Sequence, residues 1–211
     1  MTTVILLDFD GVILDSIPIK DRAFLRLFSI YSTEVQAKAE RFWAQTRGMD
    51  RSQRIQQGFF ECTSIKPTGP KLASLIAQYK ADIERSLISA PWINGAVEFL
   101  SAYRNSPIFV VSAAPQIEVH NIVVDRGIDQ YINSVFGGPK SKINNIKTIF
   151  SSLTQNPKDS IFAGDTLSDF KVANALSIPF LGVVKEGVSS PFPSEVPTVS
   201  DLRAISSFLH D

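Results

Sequence analysis

Apolar residues gather into short runs at residues 4–9, 108–111, 160–163 and 180–184, each bounded by turn-forming or acidic residues. Runs of this length, rich in β-branched and aromatic side chains, predict buried strands. Between them the apolar positions change to helical spacing. Ile143, Ile146, Ile149, Phe150 and Leu153 share one face, and residues 117–124 and 202–209 follow a similar pattern. Strands alternating with helices predict βαβ units and an α/β fold with a Rossmann-like parallel sheet.

The alternation lapses between Ile17 and Ser89. Phe24/Leu27/Phe28/Tyr31, Ala39/Phe42/Trp43 and Leu72/Leu75/Ile76/Tyr79 are helical patterns with no convincing strand among them. The Ile17-Pro18 and Ala90-Pro91 steps punctuate the two ends, since a proline restricts the residue before it. The pattern therefore predicts an α-helical insertion over 17–88, with hinges near 15–18 and 88–92. A core would be formed by 1–16 and 89–211. Residues 191–197 read as a surface loop before a last short strand and helix.

Composition refines this picture in one respect. The 211 residues are 44% hydrophobic and 20% charged, with a net charge of zero, which gives no support to nucleic-acid binding. The neutral total hides an uneven distribution. Residues 17–88 hold 12 basic and 7 acidic side chains, a net of +5, while the rest hold 9 and 14, a net of −5. A basic insertion suits an anion, and an acidic core suits a cation. The single cysteine, Cys62, excludes an internal disulfide framework and suits a reducing cytoplasm. No run approaches a membrane span, and the N-terminal run is broken by Asp8 and Asp10 too early for a signal peptide.

Four candidate constellations follow the predicted strands. In the first, Asp8-Phe9-Asp10-Gly11-Val12, two carboxylates stand at a strand end, and Gly11 lets the chain turn. Ligands in α/β proteins collect at that edge of the sheet. Paired buried carboxylates call for a hard, oxygen-seeking cation such as Mg²⁺. In the second, Val110-Val111-Ser112-Ala113-Ala114-Pro115, a hydroxyl ends a strand just before a helix, where backbone N–H groups bind anions. The third, Phe136-Gly137-Gly138-Pro139-Lys140-Ser141-Lys142, is a turn carrying two cations that can neutralise a phosphate. The fourth, Gly164-Asp165-Thr166-Leu167-Ser168-Asp169, again puts an acid at a strand end, with a second four residues on, expected on one helix face.

In this order the four segments resemble the motifs of the haloacid dehalogenase superfamily of phosphohydrolases, and the resemblance spans nearly the whole chain. It implies that Asp8 is the nucleophile that accepts the phosphoryl group and Asp10 the acid/base. Ser112 would bind phosphate, and Lys142 would neutralise charge. Lys142 fits a Gly-x-Pro-x-x-Lys pattern, whereas Lys140 lacks the proline of the Lys-Pro form. Asp8, Asp10, Asp165 and Asp169 would hold Mg²⁺, with Asp169 acting through water or orienting the lysine. Gly11, Ala113 and Lys140 would lie beside the substrate.

The helical insertion resembles the cap of the phosphoglycolate phosphatase and β-phosphoglucomutase branch. Its Arg47-Gly48-Met49-Asp50-Arg51 segment resembles a loop that reaches the substrate, with Arg47 or Arg51 clamping a carboxylate or phosphate. Trp43, Phe59 and Phe60 would form cap core, and His120 and His210 have no role in this mechanism. The implied function is hydrolysis of a small phosphorylated metabolite. The alternatives are a phosphomutase, a dehalogenase, against which Asp10 argues, and a non-catalytic phospho-ligand binder.

Overall fold

The computed structural model describes residues 3–209. The chain divides into two compact units, one running to Asp15 and resuming at Pro91, the other Ser16–Ala90.

The first unit is built on β1 (Val4–Leu7), β2 (Ile108–Pro115), β3 (Ser134–Gly138), β4 (Ser160–Gly164), β5 (Phe180–Val183) and β6 (Thr198–Val199). All neighbouring pairs are parallel, in the order β3-β2-β1-β4-β5-β6. Helices α5 (Ala96–Ala102), α6 (Gln116–Asp125), α7 (Lys142–Ser151) and α8 (Leu167–Ala175) make the crossovers. Side chains alternate across a strand, so Val4 and Leu6 face one layer while Ile5 and Leu7 face the other. Val4, Leu6, Phe109, Val111 and Phe162 pack with Ile146 and Ile149 of α7 and Val172 and Ala173 of α8. All four β1 side chains are fully buried, which explains its unbroken apolar run.

Three elements depart from the expectation. β3 (Ser134–Gly138) runs into the Phe136–Lys142 segment expected to be a turn: its two glycines mask an edge strand held by β2. β2 continues through Ser112 to Pro115, with an irregular register against β3 after Val111. The segment after β6 is a 3₁₀ helix, Leu202–Phe208.

Where the chain leaves this unit and returns, the two crossings are tied together. The Asp15 N–H donates to the Pro91 carbonyl (2.8 Å) and the Ile93 N–H to that of Ile13 (3.0 Å). Leu14 and Trp92 form an antiparallel bridge between these two bonds.

The second unit contains α1 (Ile17–Arg26), α2 (Thr33–Gln45), α3 (Arg51–Thr63) and α4 (Gly69–Ile88). Pro18 sits in the first turn of α1, where its missing N–H costs nothing. Ser32 and Asp50 cap α2 and α3 by accepting the N–H of Val35 and Gln53. Phe24, Phe28, Trp43, Phe59 and Tyr79 fill the interior, with Phe24 stacked on Trp43 at 3.9 Å. Phe60, expected in this core, is instead 46% exposed. Successive helical side chains diverge by about 100°, so Phe59 and Phe60 cannot both face inward.

Candidate active site

The parallel sheet brings the ends of β1, β2 and β4 to one edge, with β1 central. Asp8 stands one residue beyond β1, and its N–H donates to the Ala163 carbonyl of β4 at 2.9 Å. That bond places it beside Asp165, which follows β4 directly. This edge is also where the crossover direction reverses, the usual position for a ligand in open α/β sheets. Gly11 turns the chain after Asp10 with φ +79°, and a Cβ there would lie 2.4 Å from an oxygen of Asp165. Only glycine fits both the backbone and the space.

Lys142 links the third and fourth segments to the first. It opens α7 and is 7% exposed. Its Nζ lies 2.7 Å from Asp8 Oδ2 and 2.6 Å from Asp169 Oδ1. Asp8 Oδ1 accepts the Phe9 N–H at 2.7 Å. Ion pairs this well buried are held by charge-assisted hydrogen bonds rather than by Coulomb attraction alone.

The carboxylates outnumber this one cation. Asp8, Asp165 and Asp169 each offer an oxygen within 4.8 Å of the others. Burial pushes Asp8 up to about 7, with Asp169 and Asp10 adding to the rise and Lys142 opposing it. Asp165 is raised well above the carboxylate range, by burial first and then by Asp8 and Asp169. For Lys142, burial favours deprotonation, but Asp169 and Asp8 more than offset it and the ammonium is held above its ordinary value. A compact all-oxygen donor set with surplus negative charge fits a hard divalent cation.

Asp10 is half-buried and near enough to act on Asp8 electrostatically, but it is not one of the three converging carboxylates. Ser112 is buried, yet it lies within β2, four residues before α6, not at the helix N-terminus expected. Its Oγ accepts the Ala114 N–H at 3.1 Å across the irregular stretch, the kind of bulge that re-aims side chains at a sheet edge. Ala113 beside it is half-buried. Lys140 is exposed and donates to Thr148 at 2.5 Å, so it is Lys142 that reaches Asp8. Asp165 precedes α8 and Asp169 is its third residue, so a shared helix face is not what joins them. His120 is exposed, and His210 lies outside the described residues.

In the second unit, Arg47 pairs with Asp21 at 2.9 Å, and Asp21 also accepts the Trp43 indole N–H at 2.8 Å. Arg51 opens α3 and lies over the Tyr79 ring at 5.1 Å. Arg54 stacks on Trp43 at 3.3 Å, donates to Thr46 Oγ1 at 3.0 Å, and is pulled down to about 10 by burial.

Two side chains with structural claims on the first unit's site escape the sequence reading. Asn145 is 2% exposed and donates to the carbonyls of Gly137 (3.1 Å) and Lys140 (3.3 Å), pinning the turn that leads to Lys142. Nothing local in the sequence marks it. Thr166 caps α8 and bonds to Asp169. Its signal, Thr-x-x-Asp at a helix start, is legible as a capping box.

Comparison with proteins of known structure places this geometry. A predicted phosphoglycolate phosphatase from Haemophilus somnus superposes with a TM-score of 0.78 at 18% identity, covering 98% of this chain and 97% of that one. A putative hydrolase of this type, YfnB from Bacillus subtilis, bound to magnesium, gives 0.72 at 16% identity over 100% and 99%. CbbY from Rhodobacter sphaeroides, in complex with xylulose-1,5-bisphosphate, gives 0.75 at 12% identity over 96% and 95%. At these identities the likeness is one of fold. A search of curated proteins returned no match. The sequence matches the haloacid dehalogenase-like hydrolase family over residues 5–183, the stretch that carries Asp8, Lys142, Asp165 and Asp169, and the chain belongs to that family.

Proposed function

We propose that this protein hydrolyses a phosphomonoester of a small metabolite, carrying the phosphoryl group transiently on Asp8. The observation that carries the proposal is the buried Asp8–Lys142–Asp169 array, with Asp165 within 4.8 Å of both acids. A carboxylate held between a fixed cation and a metal-competent cluster is a nucleophile aimed at an anion.

An Asp8 oxygen attacks phosphorus as the bond to the ester oxygen breaks, and Asp10 gives that oxygen its proton. Asp10 then takes a proton from water, the water oxygen bonds phosphorus, and the bond to Asp8 breaks, releasing inorganic phosphate. Lys142 holds Asp8 in place and offsets negative charge on the phosphoryl oxygens. Ser112 and the Ala113 N–H are assigned to those oxygens; the Gly11 N–H donates to the Leu14 carbonyl at 2.8 Å, so Gly11 serves the site through its turn. Asp8 and Asp165, with Asp169 nearby and Asp10 assigned in support, would hold Mg²⁺, which supplies further charge neutralisation when bound. The phosphorylated ligand of CbbY and the magnesium of YfnB are in keeping with this reading.

Removing the metal is a direct test. Phosphate release should fall about 100-fold or more in excess EDTA and return with Mg²⁺; full activity in EDTA refutes the metal site. Mg²⁺ should also raise the thermal midpoint, and more at pH 8 than at pH 5, because the clustered carboxylates must ionise to bind it.

The basic helical unit is assigned the substrate's remaining anionic or polar group, through Arg47 or Arg51. Arg51→Ala should raise KM for the physiological phosphoester about tenfold, yet change KM for p-nitrophenyl phosphate less than about twofold. Equal effects on both substrates would remove Arg51 from specificity.

A further inference from the structure

Asp169 is completely buried, and its two oxygens have different partners. Oδ1 takes the Lys142 ammonium at 2.6 Å. Oδ2 takes two donors from one residue: the Thr166 hydroxyl at 2.6 Å and the Thr166 N–H at 3.1 Å. The Asp169 N–H in turn donates to Thr166 Oγ1 at 3.3 Å. The floor of this arrangement is Gly164, where a Cβ would lie 2.4 Å from Asp169 Cβ and 2.8 Å from its Cγ. The carboxylate therefore has little room to rotate, and Thr166 fixes the orientation in which it meets Lys142.

The capping box accounts for the Thr166 N–H on Oδ2 but does not require the hydroxyl bond. Capping is met when the side chain of the N-cap residue accepts the N–H of the third helical residue. The hydroxyl's own hydrogen is free to go elsewhere, and here it is spent on the acid that holds Lys142. A buried carboxylate oxygen that lost this donor would seek another, and among the described residues the cation beside it is the Lys142 ammonium.

We infer that Thr166 is a positioning residue. By saturating Oδ2 of Asp169 it keeps Asp169 from drawing Lys142 off Asp8, so Lys142 remains shared between the two acids. The inference rests on the proposed role of Lys142 in phosphoryl transfer, but its structural content stands apart from that role.

Thr166→Val removes the hydroxyl and keeps the shape and the N–H; Thr166→Ser restores the hydroxyl. The valine variant should lower kcat about tenfold with KM changed less than about twofold, and the serine variant should stay within about twofold of wild type. In a Lys142→Met background the valine change should cost no further activity, because residues acting through one group are not additive. A loss of the same size in both backgrounds, or a valine variant with lowered thermal midpoint but wild-type kcat, overturns the inference.

A readout independent of turnover is the ¹⁵N resonance of the Lys142 ammonium. It should be sharp and slow to exchange in wild type and the serine variant, and broadened or shifted in the valine variant. An unchanged resonance in the valine variant overturns the inference even if activity falls. A broadened one in a protein with no phosphatase activity supports it, and refutes the proposed function instead.

Discussion

Asp8→Asn should reduce steady-state phosphate release by about 10⁴-fold or more while leaving the fold intact. The amide keeps the size of the carboxylate but cannot form the acyl phosphate, and no other described carboxylate pairs with Lys142 at the end of β1. Circular dichroism and the thermal midpoint check folding, and a phosphate-release assay checks the chemistry. Turnover within tenfold of wild type would refute the nucleophile assignment.

The same variant carries a pH signature. Folding raises Asp8 from 3.8 to about 7, chiefly because burial disfavours its charge. A carboxyl raised on folding binds its proton more tightly in the native state. It therefore contributes stability that is fully present below about pH 4 and lost as pH rises through about 7. Asparagine has no such dependence. In EDTA, the thermal midpoint of Asp8→Asn should gain on that of wild type between pH 4 and pH 8. A midpoint difference, variant minus wild type, that stays flat or falls over this range would show that Asp8 ionises easily where it stands.

Lys142→Met should have the second-largest effect, on both stability and rate. It leaves Asp8 and Asp169 facing each other in a buried site with no protein cation between them. Breaking a buried ion pair from one side costs about 3–5 kcal/mol, because the remaining charge is neither solvated nor paired. Loss of a preorganised cation from the transition state should reduce kcat about 10²- to 10³-fold. Lys140→Met is the control, because Lys140 is exposed and bonded to Thr148 on the surface of α7. It should change stability by less than about 1 kcal/mol and kcat by less than about twofold. Chemical denaturation and steady-state kinetics on the pair separate the two lysines. Comparable losses in both variants would show that the array around Asp8 tolerates losing its cation.

Much of this protein is legible locally. The runs at 4–9 and 160–163 announce buried strands because a strand covered on both faces has no polar side to show. Asp8 and Asp165 are legible because each stands at the end of such a run, and a parallel sheet sends all those ends to one edge. What escapes is held by distant partners. β3 hides behind Gly137 and Gly138, since its strand character comes from pairing with β2 rather than from its own residues. Ser112 reads as a strand end because the apolar run stops there, but β2 continues to Pro115 on backbone pairing. Phe60 reads as core because it is large and apolar, but the rotation of α3 gives the interior to Phe59.

By itself, then, the sequence determined the chemistry on offer: carboxylates at the ends of apolar strands, a hydroxyl, two lysines after a turn and a basic helical insertion. These follow from residue type and short-range pattern, which depend on nearby neighbours in the chain. Only the tertiary structure decided which groups meet. Lys140 and Lys142 differ by two positions, yet one is in water and the other is buried between Asp8 and Asp169, which lie 134 and 27 residues away from it. Asp169 reads in the sequence either as a metal ligand through water or as the acid that orients the lysine, and in the fold one of its oxygens meets Lys142 while Thr166 holds the other. Burial and charge pairing are properties of the assembled sheet and its helices, and they decide what each acid does.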